Sequence, residues 1–173
     1  MGMNGREYRA IPPWGPVPAC PGGKDWDALM RLALEQARAA ANMDEVPVGA
    51  LVIDARGSIL SRAHNETRTL CDPTAHAEVL ATRRAAERLG NYRLGGCVLV
   101  VTLEPCLMCA GAIREARLDG VVYGAADSRA GAILSCTEGL TYTGEEAPPW
   151  SYGGVGAAAC AQLLTEFFRS RRT

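Results

Sequence analysis

The 173-residue sequence has no apolar run approaching the roughly 20 residues that a membrane-spanning helix needs. Its first residues, MGMNGREYRAIPPWGPVPACPGG, contain no continuous apolar core, so we expect no secretory signal. The sequence also has no large excess of positive or negative charge, with 18 Lys and Arg against 19 Asp and Glu. The formal net charge is −1, which gives no support to strong non-specific binding of nucleic acid. We therefore predict a cytoplasmic chain with no membrane partner.

Histidine is scarce, since the chain has only His64 and His76. Cysteine is more frequent, with seven residues scattered from position 20 to position 160. A disulfide framework is typical of short secreted chains with an even number of cysteines. Free thiols together with one metal site are the better interpretation of this pattern.

The domain organisation follows from proline, glycine and hydrophobic periodicity. Residues 1–24 are rich in proline and glycine, which predicts an extended or mobile arm. Residues 25–173 have the length of one domain. Helical patterns occur in DWDALMRLALEQARAAANMDE, PTAHAEVLATRRAAERLG, CLMCAGAIREARL and GAAACAQLLTEFFRSRR, and strand patterns in VPVGALVID, SILSRAH, CVLVVTL and GVVYG. Their alternation predicts an α/β domain in which helices cover both faces of a mixed sheet, a three-layer α/β/α sandwich.

Cys106 and Cys109 are three residues apart at the start of a predicted helix, directly after Pro105. This spacing puts both sulfurs on one side of the first turn, where the positive end of the helix dipole favours the metal-binding thiolate. A CxxC pair alone is a weak signal that fits redox chemistry, half a zinc finger or no function. A structural zinc site would need a fourth protein ligand, and Cys71 is the nearest candidate.

His76 occupies the first turn of the helix predicted before strand CVLVVTL, whereas the cysteine pair follows that strand. One imidazole and two thiolates would hold a tetrahedral zinc with its fourth position open for water, whose pKa falls until hydroxide is available near neutral pH. Glu78 is placed to take the proton of that water and to deliver it to a substrate nitrogen and then to the leaving group. The joint pattern H-x-E…P-C-x-x-C is the known signature of zinc nucleobase deaminases. We interpret it as a catalytic site with one zinc per chain.

With these motifs in place, the sequence resembles the bacterial tRNA-specific adenosine deaminases, a branch of the cytidine deaminase-like superfamily. The resemblance runs from about Asp25 to the C-terminus. It rests on EVPVGA (45–50), Asn65, DPTAHAE (72–78), NYRL (91–94), VTLEPCLMCAGA (101–112), GA with Asp127 and Gly131-Ala132, and LLTEFFRSRR (163–172). TLEPCLMCAGA is its most specific part.

The resemblance implies a five-stranded mixed sheet, zinc on His76, Cys106 and Cys109, and Glu78 as the proton shuttle. It also implies a homodimer, in which the second subunit helps to wall the pocket. The implied reaction is hydrolytic deamination of adenosine to inosine at the wobble position of a tRNA anticodon loop, by attack at C6 with release of ammonia. An unpaired loop base enters a pocket at low cost. The implied substrate contacts are Asn65, Ala75, Asp127, Phe168 and Arg169.

The sequence departs from the family pattern in the predicted substrate-binding region. Cys71 stands where the family has a histidine, Ala126 where it has a basic residue, and SCTEGLTYTGEEAPPWSYGG (135–154) is acidic. The DARG turn is also one residue longer than is usual. Two alternatives to a tRNA deaminase therefore remain. One is a deaminase of a free nucleobase or nucleoside, of the guanine or cytosine type; the other is a non-catalytic zinc module whose three ligands only hold the fold.

Overall fold

The structure is a computed structural model and describes residues 18–140 and 148–171. Most of the predicted arm (residues 1–17), the centre of the acidic segment (141–147) and residues 172–173 lie outside the described residues. The described residues form four α-helices and five strands. They are α1 (Trp26–Asn42), β1 (Gly49–Ile53), β2 (Ile59–His64), α2 (Ala77–Leu89), β3 (Val98–Leu103), α3 (Leu107–Glu115), β4 (Gly120–Ala125), β5 (Trp150–Gly153) and α4 (Ala157–Arg169).

The five strands form one mixed sheet in the order β2-β1-β3-β4-β5. Strand β1 is antiparallel to both of its neighbours, β2 and β3, whereas β3, β4 and β5 are parallel. The five-stranded mixed sheet expected from the resemblance is thus confirmed. Periodicity alone predicted four strands, because β5 has only four residues and none of them is fully buried.

Helices cover both faces of the sheet, which confirms the three-layer α/β/α sandwich. Successive residues of a strand point to opposite faces, and two separate cores result. One core joins Ala50, Val52, Leu99, Val101, Val121 and Tyr123 to helices α2 and α3. The other joins Leu51, Ile53, Val98, Val100 and Val122 to helices α1 and α4. Strand β3 supplies both cores, as its continuous apolar run, rich in β-branched residues, predicted.

The last residues of the predicted arm pack against the domain. Pro21–Gly23 form a 3-10 turn, and the indole N–H of Trp26 donates a hydrogen bond to the Pro18 carbonyl at 2.8 Å. Gly22 has a φ of 65° and lies so close to the β1–β2 hairpin that a Cβ there would overlap the carbonyl of Arg56. The boundary between an arm and the domain at residue 24 stays a prediction.

The topology brings two helix N-termini to one edge of the sheet. Helix α3 begins just after the carboxyl end of β3, and the amino end of antiparallel β1 lies beside it, since the Gly49 N–H donates to the Thr102 hydroxyl at 3.1 Å. Helix α2 packs against α3 on the same face. Ligand sites in open α/β sheets lie outside the carboxyl ends of parallel strands. Within residues 18–140 and 148–171, no helix is long and apolar enough to cross a membrane.

Candidate metal centre

Three potential metal ligands converge at this edge of the sheet. The Nδ1 atom of His76 lies 3.7 Å from Sγ of Cys106 and 3.5 Å from Sγ of Cys109, and the two sulfurs are 3.6 Å apart. A tetrahedral zinc with Zn–S bonds of about 2.3 Å and a Zn–N bond of about 2.0–2.1 Å holds such atoms roughly 3.6–3.8 Å apart. The His/Cys/Cys group therefore fits zinc, and the chain carries one zinc site of this kind.

Two of the three ligands occupy N-cap positions, directly before the first helical residue. His76 precedes α2 and Cys106 precedes α3, both with extended backbone, and neither side chain caps its helix. Both side chains are thus available to a metal. The prediction that His76 lies inside the first turn was wrong, because α2 begins at Ala77 and not near Pro73. Cys109 does lie in the first turn of its helix, as the CxxC spacing predicted.

Asn65 caps helix α2 in place of His76. Its side-chain Oδ1 accepts a hydrogen bond from the N–H of Ala77 at 2.8 Å, which satisfies one of the donors that a helix start leaves without an intrahelical partner. Asn65 is 7% exposed. Its amide NH₂ makes no hydrogen bond within the described ranges and is available as a donor. The substrate contact expected from the resemblance stays a prediction for this residue.

The two thiols of the site have different proton affinities. The Cys109 thiol and the His76 ring hydrogen-bond to Cys106 and hold its pKa at about 4, despite the opposing effect of burial. The interaction with Cys106, together with burial, raises the pKa of Cys109 above its ordinary value. A metal ligand must be deprotonated. Binding of a dication at this site is therefore coupled to release of a proton from Cys109.

Glu78 is a buried carboxylic acid next to the ligand group. It is 4% exposed, and burial raises its pKa above the ordinary value, against the lowering effect of the nearby His76. A carboxyl group of raised pKa next to a metal suits proton transfer near neutral pH. Glu78 is therefore a buried acid beside the ligand group, and its role as proton shuttle stays a prediction.

Cys71 does not supply a fourth ligand. Within the described ranges, the group of His, Cys, Asp and Glu ligand atoms that lie within 4.8 Å of one another contains only His76, Cys106 and Cys109. Cys71 is exposed, and its sulfur lies 3.6 Å from the carbonyl of Arg68. Three protein ligands leave the fourth position of a tetrahedral zinc for water or substrate, which is the arrangement of catalytic zinc sites.

The other predicted substrate residues lie on separate elements of the fold. Ala75 directly precedes His76 and is buried, with its carbonyl accepting from the N–H of Glu66 at 3.0 Å. Asp127 follows β4, and its Oδ1 accepts from the N–H groups of Arg129 at 2.9 Å and Ala130 at 3.2 Å, so that it shapes its own turn.

Phe168 and Arg169 lie on a separate element from the ligands. Both are exposed near the end of α4, on the sheet face opposite to α2 and α3. Phe168 packs edge to face on Phe167, with ring centroids 5.4 Å apart. Their substrate contacts, like those of Ala75 and Asp127, stay predictions.

Two buried glutamates beside the site were not identified from the sequence. Glu45 is fully buried, and its Oε1 accepts from the N–H of Thr69 at 2.7 Å and from its hydroxyl at 3.0 Å, which holds the loop that leads to His76. Glu104, two residues before Cys106, is 2% exposed and holds the loop after β4. In the sequence, only their places in the EVPVGA and TLEPC motifs pointed to these two glutamates. Their hydrogen-bond partners lie up to 24 and 31 positions away, so no local pattern could reveal the contacts.

A five-stranded α/β/α sandwich with a His/Cys/Cys group and a buried glutamate beside it defines the class of zinc-binding nucleobase deaminases. The model of the cytidine and deoxycytidylate deaminase zinc-binding region matches residues 24–125. The chain is 46% identical to the tRNA-specific adenosine deaminase of Agrobacterium fabrum over 83% of its own length and 94% of that protein.

Two solved structures extend the comparison. One, from a study of A-to-I editing by tRNA:A34 deaminases at the wobble position of transfer RNA, has 43% identity and a TM-score of 0.76, over 79% of this chain and 99% of the other. Another, the guanine deaminase from Nitrosomonas europaea, has 25% identity and a TM-score of 0.69, over 82% and 83%. The chain belongs to the cytidine and deoxycytidylate deaminase family, in the branch that contains the tRNA-specific adenosine deaminases.

Proposed function

We propose that this chain is a zinc hydrolase that converts adenosine to inosine in RNA, at the wobble position of a tRNA anticodon loop. The observation that carries the proposal is the His76/Cys106/Cys109 group at zinc spacing with buried Glu78 beside it. Similarity to tRNA-specific adenosine deaminases over most of both chains supports the choice of substrate.

The reaction adds the oxygen of water to C6 of the base and breaks the bond from C6 to the amino nitrogen, which leaves as ammonia. His76, Cys106 and Cys109 would hold the zinc, which would supply Lewis acidity that makes the attacking water more acidic. Glu78 would take one proton from the attacking water and give it to N1 of the purine. It would then take the remaining proton from the new C6 hydroxyl, which becomes the C6 carbonyl, and give it to the amino nitrogen as that nitrogen leaves. Because burial raises its pKa, the Glu78 carboxylate accepts protons more readily than an exposed glutamate does.

The residues around the centre offer the contacts that an extruded base requires. The NH₂ of Asn65 would be a donor for the base or its ribose, and Ala75, directly before His76, stays a proposed contact. Beyond β4, Asp127 shapes a turn whose exposed Arg129 forms no ion pair within the described ranges and can bind a phosphate. Phe168 and Arg169 on α4 would supply stacking and charge farther along the RNA.

Deamination of a free base is the second candidate. It is favoured by the structural similarity to a guanine deaminase and by the near-neutral net charge, since Lys and Arg contacts to phosphates dominate affinity for RNA. In this case the same zinc and Glu78 would act on guanine or a related base, without the contribution of Arg129 and Arg169.

We also propose a homodimer in the cytoplasm. Exposed Leu107, Met108 and Leu134, with 63%, 37% and 36% exposure, lie at the start of α3 and in the loop after β4 and offer an apolar surface beside the site. All seven cysteines are free, which fits a reducing compartment. A monomer in light scattering at micromolar concentration would contradict the dimer.

The function is tested with purified protein and an anticodon stem-loop that carries adenosine at the wobble position. We expect inosine and ammonia in equal amounts, and we expect Glu78→Gln to retain one zinc per chain while losing turnover by at least about 100-fold. Free guanine, cytosine and adenosine are assayed in parallel. Turnover of a free base with an inert stem-loop would support the second candidate, whereas full activity of Glu78→Gln would contradict both.

A further inference from the structure

Glu104 is a buried carboxylate that makes five hydrogen bonds to one loop. Its Oε1 accepts from the N–H groups of Ile133, Leu134 and Ser135 at 3.1, 2.8 and 2.9 Å. Its Oε2 accepts from the N–H of Asp127 at 3.0 Å and from the hydroxyl of Ser135. One side chain thus binds both ends of residues 127–135, which we call the rim loop.

The rim loop is also joined to the turn that carries a zinc ligand. The N–H of Ala132 donates to the carbonyl of Pro105 at 2.8 Å, and Gly131 pairs with Cys106 in an isolated antiparallel bridge. The middle of the loop therefore lies against the ligand turn, while Glu104 fixes its two ends. The position of the loop relative to the metal centre depends on these contacts.

The chemistry of the contact requires a carboxylate. All five groups that face Glu104 are donors, and an ionised carboxylate only accepts hydrogen bonds. A glutamine would turn an NH₂ donor toward the N–H of Asp127 and leave that N–H without an acceptor.

Gly131 shows independently that the rim loop packs closely against Glu104. A Cβ at this position would overlap both Oε2 of Glu104 and the carbonyl of Asp127. Its φ is not positive, so glycine is required there by space and not by backbone conformation. An alanine would push the loop away from Glu104 and leave every charged group of the contact in place.

From this geometry we propose that Glu104 is a positioning residue, which holds the rim loop beside the zinc-ligand turn and so sets the substrate-binding edge of the site. The proposal rests on the function proposed above for the choice of substrate. The exposed tip of the loop, from Ser128 to Ala130, carries Arg129. Holding both ends of the loop fixes where this tip, and its guanidinium, stand relative to the zinc.

The test compares Glu104→Gln with wild type at full zinc occupancy. We expect one zinc per chain, a rise in KM for the stem-loop of about tenfold or more, and a change in kcat of less than about threefold, because the machinery around Glu78 is intact. Hydrogen exchange should accelerate in residues 127–136 and stay unchanged in the five strands of the sheet.

Two further variants separate positioning from loss of stability. Gly131→Ala should reproduce the rise in KM and the local exchange although Glu104 is present. Glu45→Gln is the matched control, because it removes a buried carboxylate that holds a different loop, 67–69. It should lower the melting temperature and accelerate exchange in its own loop, and leave exchange in 127–136 unchanged.

Failure of the positioning role and failure of the proposed function give different results. A KM rise in Glu104→Gln without faster exchange in residues 127–136, or a Glu104→Gln effect confined to melting temperature, would overturn the positioning role. If wild type does not deaminate the stem-loop, the proposed function fails. The positioning role is then decided by the dissociation constant for the stem-loop and by exchange, and a Glu104→Gln protein that matches wild type in either quantity would overturn it.

Discussion

Asn65 caps helix α2, and we propose that it also donates a hydrogen bond to the substrate; one substitution series can separate these two roles. Asn65→Ala removes the 2.8 Å bond to the N–H of Ala77 and leaves that fully buried donor without an acceptor. Losing a cap costs about 0.5–2 kcal/mol, and leaving a buried donor unsatisfied costs about 1–3 kcal/mol. We therefore expect a loss of about 1–2 kcal/mol in the free energy of unfolding. In a domain of this size that lowers the melting temperature by about 2–8 °C.

The matched variant is Asn65→Asp, which keeps an oxygen for the Ala77 N–H but has no NH₂. A carboxylate at a helix N-terminus is favourable, so its melting temperature should stay within about 2 °C of wild type. Its turnover should still fall, as in Asn65→Ala, if the amide binds the substrate. Differential scanning calorimetry and the stem-loop assay, both on zinc-loaded protein, measure the two effects. The cap assignment is refuted if Asn65→Ala has the same melting temperature as wild type. The donor role is refuted if Asn65→Asp deaminates the stem-loop at the wild-type rate.

Further predictions concern the metal, the RNA and pH. Cys109→Ser should reduce bound zinc well below one per chain in elemental analysis, whereas Cys71→Ser should leave it unchanged because Cys71 lies outside the ligand group; equal losses would contradict the three-ligand site. Arg129→Ala should weaken stem-loop binding and reduce the slope of log K against log salt by about 1. Arg56 lies in the hairpin at the opposite end of β1, so Arg56→Ala should change neither the binding nor the slope. Identical slopes in wild type, Arg129→Ala and Arg56→Ala would contradict a phosphate contact of Arg129. Hydrogen bonds from Thr69 and Thr67 hold the pKa of Glu45 below its ordinary value, against the effect of burial. A lowered folded-state pKa stabilises the protein above the unfolded-state pKa, and this contribution is lost as pH falls through the folded value. The stability difference between wild type and Glu45→Gln should accordingly be full at pH 7 and shrink below about pH 4.5 in urea unfolding; a constant difference would contradict this reasoning.

The layers of the fold were predictable because their signals are local. The run CVLVVTL favoured a strand buried on both faces, and the apolar spacing after Asp25 indicated helix α1, which Asp25 does cap. Strand β5 had no such signal. It is a short edge strand of four residues. Its parallel pairing with β4 follows from the position that the tertiary structure gives it and not from a pattern in its own sequence.

The sequence by itself determined the zinc chemistry, because the ligands and Glu78 lie in two short motifs, each at the start of a helix, on either side of one strand. Only the tertiary structure decided what supports those motifs. The cap on α2 comes from Asn65, 12 residues before the donor that it satisfies, and Glu104 holds a loop up to 31 residues away. A buried carboxylate or amide is stable only where distant N–H groups converge on it. Such convergence is a property of the packed chain and leaves no periodic trace in the sequence.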